Sequence, residues 1–98
     1  MIFLKIAIYG KTNGQNDIDA QVQQCREYAE QKNYEIANEF IDDLDTDGRS
    51  FEQLIETAAD FDGVVIKDRA RLSRDAMEYE LKMKALREAK LQTFFVTE

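Results

Sequence analysis

Three arginines within six positions are the residues of this chain whose types and spacing point most directly to chemistry. Residues 67–75 read Lys-Asp-Arg-Ala-Arg-Leu-Ser-Arg-Asp and directly follow the apolar run Val-Val-Ile at 64–66. The chain as a whole is acidic, with a formal net charge of -7, so the basic cluster is a local exception. Because a guanidinium fork matches the oxygens of a phosphate, the segment predicts an anion site that takes a phosphate group.

The same arginines also have a purely structural interpretation. Arg69, Arg71 and Arg74 could form a solvated loop that pairs with neighbouring acidic residues, Asp68 and Asp75 among them. Charge pairing of this kind stabilises a surface loop without binding any ligand.

A second segment with chemical potential is the loop predicted at residues 10–14, Gly-Lys-Thr-Asn-Gly. Its first three residues resemble the end of a phosphate-binding P-loop, but Lys5 stands where the first glycine of that motif belongs. A nucleotide-binding site is therefore an alternative that the motif supports only in part.

Length and composition predict one globular domain. The chain has 98 residues, of which 44% are hydrophobic and 34% charged, as in folded proteins. It has no His and one cysteine, Cys25, which argues against a zinc site and a disulfide framework; Cys25 is expected in the core. No apolar run approaches the roughly 20 residues of a membrane span. With no signal peptide at the start, we expect a cytoplasmic protein with no membrane partner.

The negative charge is unevenly distributed. Residues 35–47 contain six acidic residues and no basic one. The overall acidity argues against a protein that simply coats nucleic acid, because phosphate neutralisation needs a net basic surface. The stretch is interpreted as a solvated face, and a surface that mimics DNA or docks a basic partner is the alternative.

The apolar pattern predicts the elements that must position these segments. Strands and amphipathic helices alternate in the order β-α-β-α-β-α-β, which implies an α/β fold with a mainly parallel four-stranded sheet, ordered 2-1-3-4, and helices on both faces. Ligands bind beyond the carboxyl ends of such strands, so Lys11, Arg71 and Arg74 are expected to converge on one crevice. The strands are predicted at residues 2–9, 34–41, 64–66 and 91–96, and the helices at residues 17–32, from 50 and from 75.

Local patterns predict helix caps and buried faces. Asn16 or Asp17 is expected to cap the first helix, Ser50 to open a capping box with Gln53, and Asp75 to cap the third helix. The second strand is expected to place Tyr34, Ile36 and Phe40 on one face. The third helix carries one stripe of Met77, Leu81 and Ala85 and a second of Tyr79, Met83 and Leu86, which is either core or, if exposed, a partner surface.

Four of these segments also resemble, in register, the catalytic domain of the serine recombinases, the resolvase/invertase group. Residues 6–13 resemble the first strand and nucleophile loop, 18–29 the first helix, 42–51 the segment after the second strand, and 64–75 the strand and arginine motif. The last segment, with its Arg-Leu-Ser-Arg, is the specific one. We expect a single resolvase-like domain, residues 1–98, without the separate DNA-binding domain that active members of the family carry.

By resemblance, such an enzyme joins a serine to a DNA phosphate and religates exchanged strands without a metal or other cofactor. Arg71 and Arg74 match the arginines that hold the scissile phosphate and stabilise charge in the transition state. Gln21 matches a glutamine of the first helix. Arg49 matches a loop arginine, although the spacing to Phe51 is one residue shorter than usual.

The departures from the family pattern concern the nucleophile. Asn13 occupies the serine position, and a carboxamide cannot form the phosphoester. Lys11 replaces an arginine and keeps the charge without the bidentate geometry, while Ala70 replaces an aspartate. Thr12 is an adjacent hydroxyl, but neighbouring side chains of an extended segment point to opposite sides.

These departures favour a catalytically silent relative of the recombinases that acts through contacts with another protein, an active recombinase or a second copy of itself. One alternative is a functional strand-exchange protein, or a fragment of one, with an atypical nucleophile and salt-dependent binding to DNA. The other is a regulatory module that binds phosphate or a nucleotide.

Overall fold

The computed structural model describes residues 3–12, 18–43, 45–46 and 48–97. The nucleophile position Asn13 and the helix caps predicted at Asn16 or Asp17 lie outside these ranges. The described strands are β1 Lys5–Lys11, β2 Glu35–Asp42, β3 Gly63–Ile66 and β4 Gln92–Phe95. The helices are α1 Ile18–Gln31, α2 Arg49–Glu56 and α3 Ala76–Glu88, with 3₁₀ turns at Ala58–Asp60 and Arg69–Arg71. None of the described helices is long and apolar enough to cross a membrane.

The four strands form one parallel sheet in the order β2-β1-β3-β4, as predicted. The central strands β1 and β3 are buried on both faces, which explains their almost continuous apolar sequence. One face carries a core cluster with residues of α1, and the opposite face carries a larger cluster with residues of α2 and α3. Alternate residues of β1 enter the two clusters: Ile6 and Ile8 the first, Ala7 and Tyr9 the second.

Strand β1 begins and ends later than predicted. It starts at Lys5 and includes Gly10 and Lys11, which were expected in a loop. The strand continues because Lys11 pairs with Asp42 of β2. The glycine instead permits a close approach, since a Cβ atom at Gly10 would lie 2.9 Å from the Cδ1 atom of Ile18 at the start of α1.

Strand β2 is an edge strand, as predicted, but its side chains do not alternate regularly. Ala37 is an extra residue between two successive partners of β1, and such a bulge exchanges the faces of the residues that follow it. Tyr34 therefore packs in the α1 cluster, whereas Phe40 packs in the opposite cluster. The prediction that Tyr34, Ile36 and Phe40 share one face was wrong.

The N-terminus of helix α2 is capped by a side chain from β2, not by one of its own residues. It begins at Arg49, so Ser50 lies within the helix and the predicted capping box is wrong. The N-cap residue is Gly48, which has no side chain that could cap the helix. The carboxylate of Asp42, at the end of β2, accepts hydrogen bonds from the backbone N–H groups of Ser50 at 2.9 Å and Phe51 at 3.0 Å.

Helix α3 begins as predicted but presents its two apolar stripes differently. Asp75 caps it by accepting a hydrogen bond from the Met77 N–H at 3.2 Å. Leu86 is fully buried, whereas Met77 and Leu81 are 75% and 64% exposed. The second predicted stripe is therefore the core stripe, and the first carries the exposed apolar residues. The other members of the core stripe, both partly buried, are Tyr79 and Met83.

Candidate anion-binding site

A cleft of about 240 Å³ lies at the carboxyl ends of β1 and β3. Among the described residues, three cationic side chains line it, those of Lys11, Arg71 and Arg74, so the predicted convergence is found. Parallel strands bring the segments that follow them to the same edge of the sheet, which places two distant parts of the sequence side by side. The other lining residues in the described part of the chain are Ala70, Ser73 and Asp75.

Gln21 holds the main chain at the end of β1. Its side chain is 1% exposed. The Nε2 atom donates to the carbonyl oxygen of Lys11 at 2.9 Å, and the Oε1 atom accepts from the Lys11 N–H at 3.3 Å. The carboxamide thus acts as a strand partner for Lys11, two residues before Asn13 in sequence. These contacts hold the backbone of Lys11 in place at the end of the strand.

Arg71 reaches the same main-chain group from the other side of the cleft. Its Nη1 atom donates to the Lys11 carbonyl oxygen at 3.5 Å. The Oδ1 atom of Asp68 accepts hydrogen bonds from both the backbone N–H and the Nε–H of Arg71, each at 3.2 Å. Residues three apart in a 3₁₀ turn lie on the same side, which explains why Asp68 and Arg71 meet. The sequence interpretation named Asp68 only as a partner in a solvated loop.

Arg74 and the start of α3 form the outer wall of the cleft. Arg74 is exposed, and the Oγ atom of Ser73 accepts a hydrogen bond from the Asp75 N–H at 3.0 Å. Within α3, the Lys82 ammonium lies 3.3 Å from the carboxylate of Glu78, a residue of the first turn. This ammonium and, more weakly, the charge of Lys11 hold the pKa of Glu78 below its usual value. A carboxylate therefore lies within the electrostatic range of the cleft cations.

At the end of β2, a buried carboxylate joins β1, β2 and α2. Asp42 is fully buried and accepts hydrogen bonds from the Tyr9 hydroxyl at 2.7 Å and the Thr46 hydroxyl at 2.8 Å, besides the two N–H groups of α2. Burial by itself raises the pKa of Asp42, but the hydrogen bonds from Tyr9, Ser50, Thr46 and Phe51 outweigh it, so that the pKa is lowered. Burial and the bond to Asp42 raise the pKa of Tyr9.

The acidic stretch was interpreted as a solvated face, and for Asp42 that interpretation is wrong. The signal that could have identified it is its position at the end of a strand, directly after the apolar Phe40 and Ile41. A carboxylate at that point faces the N-terminus of the following helix, where anions are favoured.

Arg49 and Thr12, which the sequence also suggested, are not among the residues that line the cleft. Arg49 does not line the cleft, because its guanidinium donates to the backbone carbonyls of Thr46 at 3.1 Å and Asp45 at 2.9 Å. The Thr12 N–H donates to the Asp42 carbonyl at 3.0 Å and extends the β1–β2 pairing by one residue.

Among the described residues, no three His, Cys, Asp or Glu side chains lie close enough together to hold a metal ion.

Comparison with known proteins identifies both a protein family and solved structures of the same fold. Residues 11–98 match the family described as Resolvase, N terminal domain, whereas no curated protein matches the chain. Three solved structures share the fold of this chain, as their TM-scores show. The N-terminal catalytic domain of TP901-1 integrase has a TM-score of 0.80 and 22% identity over 94% of this chain and 76% of its own. The C-terminal catalytic domain of ISC1926 TnpA, an IS607-like serine recombinase, has a TM-score of 0.79 and 19% identity over 97% and 69%. A serine recombinase from Sulfolobus solfataricus has a TM-score of 0.68 and 17% identity over 97% and 69%.

Proposed function

The chain belongs to the resolvase N-terminal domain family, and from that membership we propose that it is a serine-recombinase-type domain that binds a DNA phosphate without forming a covalent bond to it. It acts in site-specific recombination through contact with a second chain. The observation that carries this proposal is the arrangement at Lys11. Gln21 and Arg71 both donate to the Lys11 carbonyl oxygen, two residues before Asn13 in the sequence.

The cleft has the chemistry for holding a phosphodiester. Lys11, Arg71 and Arg74 supply positive charge within one small space, and guanidinium groups bind phosphate oxygens through paired hydrogen bonds. Transfer of a phosphodiester to protein also needs a nucleophilic oxygen. The carboxamide of Asn13 offers a weakly basic oxygen whose phosphate adduct would not be a stable ester. Binding without strand cleavage is the activity that these side chains support.

A two-part experiment tests this function. Binding to a fluorescently labelled DNA duplex should weaken as salt is raised, because neutralised phosphates release counterions. At a fixed salt concentration, Arg74→Ala should bind the DNA more weakly than the wild type. Arg87→Ala, an equal charge change near the other end of α3, should reduce the affinity less. Supercoiled plasmid incubated with the chain and quenched in detergent should yield no protein–DNA adduct. A covalent adduct with the wild-type chain, or no DNA binding even at low salt, would contradict the proposal.

The face formed by α2 and α3 supports contact with a second chain. Met77 and Leu81 are exposed on α3, next to a groove lined by three apolar residues and two glutamates, Glu52 and Glu56. Large apolar side chains that cluster on a surface are typical of an interaction site. The apolar residues of the groove are Phe51, Ile55 and Ala85.

The charges of α3 favour a second copy of this chain as the occupant. Glu80 precedes Leu81 and Lys84 follows it, and both charged side chains are exposed. In an antiparallel pair of α3 helices that cross near Leu81, Glu80 of one copy lies opposite Lys84 of the partner subunit, although Lys84 is also 3.9 Å from Glu88 of its own chain. Opposite charges that face each other across an interface favour this pairing.

Sedimentation equilibrium tests the pairing. We expect a concentration-dependent dimer that Leu81→Glu abolishes. At concentrations low enough for both proteins to be monomeric, the thermal midpoint of Leu81→Glu should equal that of the wild type. Glu80→Lys alone should weaken the dimer, and adding Lys84→Glu should restore it. A chain that stays monomeric at every concentration, or a dimer that Leu81→Glu does not affect, would rule out this face as the contact.

A further inference from the structure

We propose that Asp68 is a positioning residue that sets the orientation of the Arg71 guanidinium in the cleft. Two hydrogen bonds carry this inference, since one carboxylate oxygen accepts from both the backbone N–H and the Nε–H of Arg71. The inference rests on one part of the proposed function, namely that the cleft binds a phosphate group.

The local backbone explains why position 68 can perform this task. Asp68 is the N-cap residue of the 3₁₀ turn Arg69–Arg71, so its side chain is itself held by the turn that it caps. With three residues per turn, Asp68 and Arg71 lie one above the other. Ala70, between them in sequence, has no side-chain oxygen to offer.

The guanidinium makes hydrogen bonds through both Nε and Nη1. Asp68 holds Nε, and the carbonyl oxygen of Lys11 accepts from Nη1 at 3.5 Å. The Arg71 side chain is 17% exposed and that of Asp68 is 29% exposed, so water screens the pair only in part. An arginine held in this way loses less side-chain freedom when an anion binds, which favours affinity.

The charge of Asp68 and its contact with Arg71 predict opposite effects on phosphate binding when the Asp68 side chain is removed. A carboxylate near an anion site repels the anion, so neutralising Asp68 should strengthen phosphate binding if charge alone matters. If Asp68 orients Arg71, the same change should weaken binding even though the cleft becomes more positive. The sign of the change therefore distinguishes the two roles.

The experiment is a titration of the chain with inorganic phosphate, followed by NMR of ¹⁵N-labelled protein. We expect Asp68→Ala to weaken phosphate binding by about fivefold, as lost orientation of one charged donor implies. Asp68→Asn keeps an oxygen that can accept from Nε and should recover part of this loss. Asp60→Asn is the matched control, because the residue is exposed in the other 3₁₀ turn, and it should not weaken binding. Equal or tighter binding by Asp68→Ala would overturn the proposal.

A second measurement needs no ligand and separates this inference from the function on which it rests. The Arg71 Nε–H signal of the wild type should exchange slowly with solvent, and Asp68→Ala should accelerate that exchange while the backbone spectrum stays folded. An unchanged Nε–H signal in Asp68→Ala would refute the positioning role. If the wild type binds no phosphate, the phosphate site fails as a function, and the exchange of Nε–H alone decides whether Asp68 orients Arg71.

Discussion

Replacing Asp42 with asparagine should destabilise the fold by about 3 kcal/mol, because no orientation of a carboxamide can satisfy the donors around it. Each carboxylate oxygen accepts one backbone N–H of α2, Oδ1 from Ser50 and Oδ2 from Phe51. Whichever side receives the NH₂ group, one N–H of the helix faces a donor. The hydroxyls of Tyr9 and Thr46, which bond the same two oxygens, can rotate to adapt.

The magnitude follows from two contributions. A buried N–H that loses its acceptor costs about 1–3 kcal/mol, and hydrogen bonds to a charged group, worth about 1.5–3 kcal/mol, become neutral ones of about 1 kcal/mol. The exposure of Asp42 is 0%, so water does not replace the lost partners. For a domain of this size, a loss of about 3 kcal/mol lowers the thermal midpoint by roughly 15 °C.

Urea denaturation followed by far-ultraviolet circular dichroism measures this loss, and its pH dependence gives a second check. The pKa of Asp42 is lowered in the folded state, so its contribution to stability is present above the unfolded pKa and is lost as the pH falls through the folded one. The difference in unfolding free energy between wild type and Asp42→Asn should therefore have its full value at about pH 7 and become smaller below about pH 4.

The exposed Asp60 provides the control, since Asp60→Asn should change stability by less than about 0.5 kcal/mol. A loss below about 1 kcal/mol for Asp42→Asn, or a difference that stays constant down to about pH 3, would refute the reasoning.

Two further predictions concern the core. Cys25 is 1% exposed, and burial, helped by the charge of Glu39, raises its pKa to about 12; the thiol should therefore react with a disulfide reagent only after unfolding, and rapid reaction of the native chain would contradict this. Leu86→Ala should cost about 3 kcal/mol in urea denaturation because it leaves a cavity. At a concentration where the chain is monomeric, Leu81→Ala, on the exposed side of the same helix, should cost less than about 0.5 kcal/mol; similar losses would show that the stripes are assigned wrongly.

The topology could be predicted because it depends on patterns that extend along whole elements. Alternating strands and helices imply a parallel sheet, and the unbroken apolar run at residues 64–66 identifies a central strand. The convergence of Lys11, Arg71 and Arg74 followed from the same geometry, because parallel strands end at the same edge of the sheet. None of these predictions required knowledge of a side-chain contact.

The predictions that failed depended on contacts between distant residues or on a single extra residue. The acceptor at the start of α2 is Asp42, eight residues before Ser50, so a local capping rule selected the wrong residue. The bulge at Ala37 shifts the faces of β2 without any glycine to indicate it. At Gly10 the absence of a side chain serves the close approach of α1 and not a turn.

The same contacts bear on how the cleft residues should be tested. Gln21 joins the main chain of Lys11 to α1, and Arg71 joins that main chain to Asp68. Each of these residues supports the local backbone, so its presence in the sequence does not by itself indicate chemistry, and its loss would disturb the cleft even if no phosphate bound there. Arg74 lines the cleft and is exposed, which makes its truncation the smaller disturbance to the fold. Weaker DNA binding by Arg74→Ala, at unchanged stability, is therefore a stronger argument for phosphate recognition than the same result with Arg71→Ala.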